Sequence, residues 1–266
     1  MVIQRLCDEE CPHSKFAKNM KALITFGCSW TRGVGSWYDE EISYKDYLKC
    51  NDTLSKDEYP FRTVLAKRHD YENINLSACA SSNAKQFRLA EGYFNKDDYK
   101  KFDKVIVLWG ITSTARLDIW NNKNKKYQSL FLNNDKDELS DIIREKHYDH
   151  EVELNRLSEQ ILHWDKYFSM IGVENYWFDT FNHHEYRYDS PNMILGKKNP
   201  RDLMSLICEE EGLILKRDDY HLSCWWTDSE RIKFLEQKKL VNPHSLHPNM
   251  KCHIKIADII DKFILW

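Results

Sequence analysis

The chain has 266 residues, 42% of them hydrophobic and 30% charged, with a formal net charge of −3. That length supports one large domain with a substantial core, or at most two small ones. The near-neutral balance gives no global electrostatic case for nucleic-acid binding, and no apolar stretch approaches the ~20 residues of a membrane span.

Residues 1–20 read as a polar N-terminal extension, charged and without the long apolar run of a secretory signal. Cys7, Cys11 and His13 lie in it and could form part of a zinc site, but no second ligand pair is evident. The eight cysteines are scattered along the chain, and without an export signal they read as reduced thiols. No metal and no cofactor is expected.

Lys21–Phe26 predicts a buried strand, an apolar run that stops at Gly27 with Ser29 two residues later. Lys45–Lys49 and Tyr59–Arg68 read as helical pieces, Pro60 being suited to a helix start. Tyr71–Leu76 is a short strand, and Ser81–Phe94 fits a helix with Phe87, Ala90 and Phe94 near helical spacing. Lys104–Trp109 is a second strong strand, short, β-branched and closed by Gly110.

Residues 118–150 are rich in Asn, Lys and Asp and read as an exposed insertion within one domain spanning 21–266. Glu151–Met170 is a long amphipathic helix, with apolar residues mainly at three- and four-residue spacings. Val173–Phe178 is a third strand with Asp179 just past its end, and residues 182–200 form a loop. Arg201–Glu210, Ser229–Leu240 and Asn249–Phe263 read as helices.

Strands alternating with helices imply an α/β fold, three layers with a mostly parallel sheet covered on both faces. Such sheets place ligands beyond the carboxyl ends of their strands. Ser29, the Ala80 region, Gly110–Thr112 and Asp179 all lie there, so they are expected to share one rim. A serine hydroxyl is a weak nucleophile and needs a base within hydrogen-bond reach and donors aimed at the developing oxyanion. His247, followed by Pro248 in the first turn of the closing helix, is a base candidate, with His244, His253 and His221 competing. The plainer readings are a capping serine and a surface histidine.

Taken in order, these segments resemble the SGNH (GDSL-type) hydrolase superfamily, especially divergent members from phage genomes. The family's Gly-Asp-Ser block reads Gly27-Cys28-Ser29. Asn75–Asn83 stands where the second block supplies a glycine N–H, with Ala80 in the glycine's place. The third block, Gly-x-Asn-Asp, reads Gly110-Ile111-Thr112-Ser113, and the last, Asp-x-x-His-Pro, reads His244-Ser245-Leu246-His247-Pro248. The resemblance implies an SGNH/flavodoxin-like fold and metal-independent ester hydrolysis. Ser29 would be the nucleophile and His247 the base. The N–H groups of Ser29 and Ala80, with the Thr112 side chain, would hold the oxyanion.

Neither His244 nor Ser245 supplies the family's orienting carboxylate. The resemblance implies that a Ser–His dyad still works where a backbone carbonyl holds the imidazole. Asp179 could substitute from another strand end, though a loop or capping role is plainer. Arg116 could clamp an anionic group of the substrate, or form an ordinary salt bridge at the rim. Cys28 reads as a small packing residue. Trp30, Trp37 and the Trp225-Trp226 pair fit the core or a surface on which sugar rings stack.

The leading expectation is therefore a serine esterase acting on a small-molecule or carbohydrate ester, O-acetyl groups first, with no nucleic-acid or membrane partner. The alternative is a binding or virion-associated protein that keeps the scaffold without turnover. A cytoplasmic location is expected, in the host cell for a phage product.

Overall fold

The computed structural model describes residues 19–38, 57–132, 138–181, 184–188, 190–195, 202–213, 229–243 and 245–266. The predicted helix at Lys45–Lys49 and nearly all of the N-terminal extension, with Cys7, Cys11 and His13, lie outside them. So do Trp225, Trp226 and His244.

Four strands form one parallel sheet: β1 (Lys21–Phe26), β2 (Glu72–Asn75), β3 (Lys104–Ile111) and β6 (Glu174–Asp179), in the order β2-β1-β3-β6. Side chains alternate across each strand. Leu23, Ile106 and Leu108 therefore enter one core, and Ala22, Ile24, Val105, Val107 and Trp109 enter the other. On the first face lie α2 (Phe61–His69), α6 (Leu203–Glu210), α7 (Ser229–Gln237) and α8 (Met250–Asp261). On the second lie α3 (Asn83–Phe94) and α5 (His150–Ile171). The architecture is a three-layer α/β/α sandwich.

The second core is built from aromatic rings. Trp109 stacks on Phe26 at 4.5 Å and on Trp177 at 4.8 Å between centroids, and Trp164 and Phe168 of α5 close over them. Trp30 and Trp37 are buried as well, so these tryptophans serve packing. The four described cysteines, Cys28, Cys79, Cys208 and Cys252, are free thiols. Among the described residues no helix is long and apolar enough to cross a membrane.

The polar stretch after β3 is more ordered than its composition suggests. β4 (Arg116–Asn121) and β5 (Lys126–Phe131) form an antiparallel hairpin, and α4 (Glu138–Lys146) follows. The Asn121 carboxamide oxygen accepts the N–H groups of Lys123 (3.0 Å) and Asn124 (3.1 Å), which shapes the turn. Trp120 and Tyr127 face each other across the strands at 5.2 Å.

The crossovers explain where a site can form. α2 links β1 to β2 on one face, and α3 links β2 to β3 on the other. The chain thus switches face between β1 and β3, leaving a crevice beyond their carboxyl ends. β3 runs through Gly110 to Ile111 and does not stop at the glycine. Gly110 is needed there for space: a Cβ would overlap the Thr31 hydroxyl and sit 3.1 Å from the Phe178 ring. Gly110→Ala is expected to destabilise the fold by about 1–3 kcal/mol. Adding Thr31→Ala should recover part of that loss, because the two positions touch. Urea unfolding of both variants checks the coupling.

Candidate active site

β1 delivers the chain to the rim, and Gly27 lets it turn sharply against Thr31, since a Cβ there would overlap the threonine side chain. Cys28, extended and fully buried, caps the four-residue helix α1 (Ser29–Arg32). The helix closes at Gly33, whose φ of 88° returns its N–H to the carbonyls of Ser29 (3.0 Å) and Trp30 (3.1 Å). Trp30 and Thr31 point into the protein, which leaves Ser29 half-buried at the rim.

The far end of the chain meets it. Val241 bridges Pro248, and the Asn242 N–H donates to the His247 carbonyl at 2.8 Å. Leu246 takes a left-handed φ of 56° and donates its N–H to the Asn242 carbonyl at 2.8 Å. Asn249 then caps α8 by accepting the Cys252 N–H at 3.1 Å, and its amide donates to the Lys239 carbonyl at 2.7 Å. This pinned loop holds His247 Nε2 2.8 Å from Ser29 Oγ. Gly35 permits the approach: a Cβ there would lie 3.0 Å from His247 Cβ.

On the other side of the ring, Nδ1 lies 2.8 Å from the Ser245 backbone carbonyl. A carbonyl only accepts, so Nδ1 carries the proton and Nε2 presents its lone pair to the Ser29 hydroxyl. That is the tautomer a general base requires.

Ala80 has a left-handed φ of 56°, a conformation costly for a residue with a Cβ. Its loop is tied to the end of β1, because the N–H groups of Leu76 and Ala78 donate to the carbonyls of Thr25 (2.9 Å) and Gly27 (3.1 Å). Among the described residues neither the Ser29 N–H nor the Ala80 N–H has a protein acceptor. Thr112 is fully buried, and its hydroxyl is sealed from solvent without a hydrogen-bond partner.

Asn83 is a site residue that the sequence reading passed over. Its carboxamide accepts the Thr112 N–H at 3.0 Å and donates to the Thr112 carbonyl at 2.8 Å, so the first turn of α3 fixes the backbone just past β3. The only sequence signal was a small polar residue at a helix start.

Asp179 does not orient His247. It is the last residue of β6, and its carboxylate accepts His184 Nδ1 at 2.8 Å, the His184 N–H at 3.0 Å and the Tyr186 hydroxyl. Those partners lie within seven residues of it and occupy it locally. Arg116 forms no salt bridge and no side-chain hydrogen bond among the described residues. Its guanidinium carbon lies over the rings of Phe181 (4.9 Å) and Phe131 (5.2 Å).

Burial pushes the His247 pKa below its ordinary value of 6.5. The Ser245 carbonyl opposes that shift, and the Arg116 charge adds to it. His253, fully buried in α8, is held down to about 3 by desolvation first and by Arg62 and His247 after it.

No family model matches the chain, and no curated protein does. Several solved structures are similar at low identity. One is a lipolytic protein of the G-D-S-L family from Desulfitobacterium hafniense, at 12% identity and TM-score 0.40, covering 92% of this chain and 100% of that one. Another is the psychrotrophic esterase EstA from Pseudoalteromonas, at 10% identity and TM-score 0.39, covering 91% and 95%. A third is the acetyl xylan esterase Est2A from Butyrivibrio proteoclasticus, at 15% identity and TM-score 0.42, covering 91% of this chain and 63% of that one. Such remote likenesses leave the chemistry to be read from the residues themselves.

The ring electrostatics have a measurable consequence. In a proton NMR titration His247 should titrate below 6.5, and Arg116→Gln should raise its midpoint. Folding is linked with the same sign. The unfolded chain takes up these protons near 6.5 and the folded chain only below that. The stability contributed by neutral His247 and His253 is therefore full above about 6.5, and it is lost as the pH falls through the lowered values. Urea unfolding at pH 7 and pH 5 should show lower stability in acid.

Proposed function

We propose that this protein is a serine ester hydrolase. The observation that carries the reading is the 2.8 Å contact between Ser29 Oγ and His247 Nε2, with Nδ1 committed to the Ser245 carbonyl. Ser29 Oγ attacks the ester carbonyl carbon while its proton passes to Nε2. The tetrahedral oxyanion is met by the Ser29 and Ala80 N–H groups, with the Thr112 hydroxyl as a third donor. The imidazolium then gives its proton to the leaving alkoxide, and the alcohol departs. Water, deprotonated by the same nitrogen, attacks the acyl carbon; the bond to Ser29 Oγ breaks, the imidazolium returns the proton to Oγ, and the acid is released.

The dyad lacks a carboxylate, and that has a graded cost. Where an amide replaces the aspartate of a Ser-His-Asp triad, the loss of about 10⁴ comes from stabilising the wrong tautomer. A carbonyl fixes the right tautomer and forgoes only the full charge that would stabilise the imidazolium. O-acetyl groups on carbohydrate are the substrate class proposed first. Trp120, half-exposed on the hairpin, offers an aromatic surface for a sugar ring, whereas the Tyr127 ring is capped by the Arg88 guanidinium at 3.8 Å. Trp30 and Trp37 are buried and do not contribute that support.

The test uses 4-nitrophenyl acetate with the wild type, Ser29→Ala and His247→Ala, each checked for folding by circular dichroism. Each substitution should lower kcat/KM by about 10³-fold or more. A fluorophosphonate should label the wild type at Ser29 and leave Ser29→Ala unlabelled. Equal rates in all three proteins, with no label, would overturn the reading in favour of a non-catalytic binding protein.

A further inference from the structure

The hairpin strand β4 begins with a cation that the fold does not explain. Arg116 is about nine-tenths buried, with 8% of its surface exposed, and one of its terminal nitrogens is wholly buried without a partner. Among the described residues no carboxylate lies within salt-bridge distance. Other cations of the same region are satisfied: Arg88 pairs with Asp118, and Arg156 with Glu153. A buried charge without an anion is costly, because nothing replaces the water it has lost.

The geometry narrows what could complete it. Phe181 and Phe131, with centroids 4.9 Å and 5.2 Å from the guanidinium carbon, supply no anion, so N–H groups remain to donate to one. The guanidinium fork matches a carboxylate. The position lies near the candidate active site, since the Arg116 charge acts on the His247 ring and Phe181 beside it packs at 5.9 Å against the buried Trp30, the residue after Ser29. Arg116 also lines a cleft of about 670 Å³ that includes Asn83, Thr114, Glu91 and Asp118 but neither Ser29 nor His247.

We propose that Arg116 receives a carboxylate of the substrate beside the ester that Ser29 attacks, so that the natural substrate is an anionic ester. This rests on the esterase reading of Ser29 and His247. The bound carboxylate would neutralise the charge that opposes imidazolium formation on His247, so it should favour turnover as well as binding.

Two readouts separate this proposal from the reading beneath it. The first compares 4-nitrophenyl hemiglutarate with 4-nitrophenyl valerate, esters of similar length that differ in one carboxylate. The wild type should prefer the charged ester by about tenfold or more in kcat/KM, with part of the gain in kcat. Arg116→Gln should bring the ratio to about one, and Arg116→Lys, which keeps the charge and loses the fork, should fall between. The wild-type ratio needs no variant, so a misfolded Gln protein would not spare the proposal. The second readout is binding of glutarate, followed by the His247 ring signals in NMR. Shifts in the wild type that vanish in Arg116→Gln support the anion site even where no ester is turned over, and then only the esterase reading falls. A wild-type ratio near one with ring signals unmoved by glutarate overturns the anion site and leaves the esterase reading standing.

Discussion

The site depends on one steric arrangement, the Thr31 side chain lodged against two glycines. Gly27 ends β1 and Gly110 lies near the end of β3, and at both a Cβ would overlap the threonine. The two central strands are paired residue for residue from Lys21↔Lys104 to Phe26↔Trp109, so their ends are level. Thr31 can pack down onto both ends only because they are bare. That draws α1 close to the sheet and leaves Ser29, two residues earlier, standing at the rim. The wedge is sterically tight and carries its own cost, since the Thr31 hydroxyl is buried with no hydrogen-bond partner.

The fold was legible where apolar runs were continuous. Strands buried on both faces leave an unbroken hydrophobic signature, and Lys21–Phe26 and Lys104–Trp109 carry it plainly. The hairpin was harder to see. Burial in β4 and β5 grades from the exposed turn to the packed base and does not alternate by side: Arg116 and Leu130 are buried while Trp120, Lys126, Tyr127 and Gln128 are exposed, so there was no period-two pattern to read. Gly110 misled in another way. A glycine after an apolar run usually marks a strand's end, but this one stays inside β3 because its missing side chain is what Thr31 requires.

The serine and the histidine were readable from their places past a strand and before a helix, and the structure brings them together across 218 residues. What holds the histidine was not readable. A backbone carbonyl has no residue-type signature, so the Ser245 acceptor could emerge only from the loop's geometry. Asp179 looked available because strand-end carboxylates face the rim, yet His184 and Tyr186 reach it through a short local loop. Arg116 posed the converse difficulty. A sequence shows that a cation is present but not that Asp118 and Glu153 of the same cleft are engaged by other arginines.

These features bear on one another. A carbonyl behind the imidazole secures its tautomer but lends it less negative charge than a carboxylate would, and burial and Arg116 both disfavour the protonated ring. The free site is thus tuned toward a neutral, ready base and against the ion pair that forms during proton transfer. Such a site gains most from an anion that arrives with its substrate. In the proposed reaction, a compensating charge on the ligand would favour the imidazolium when that ligand is bound, and specificity would then act on the chemical step as well as on binding.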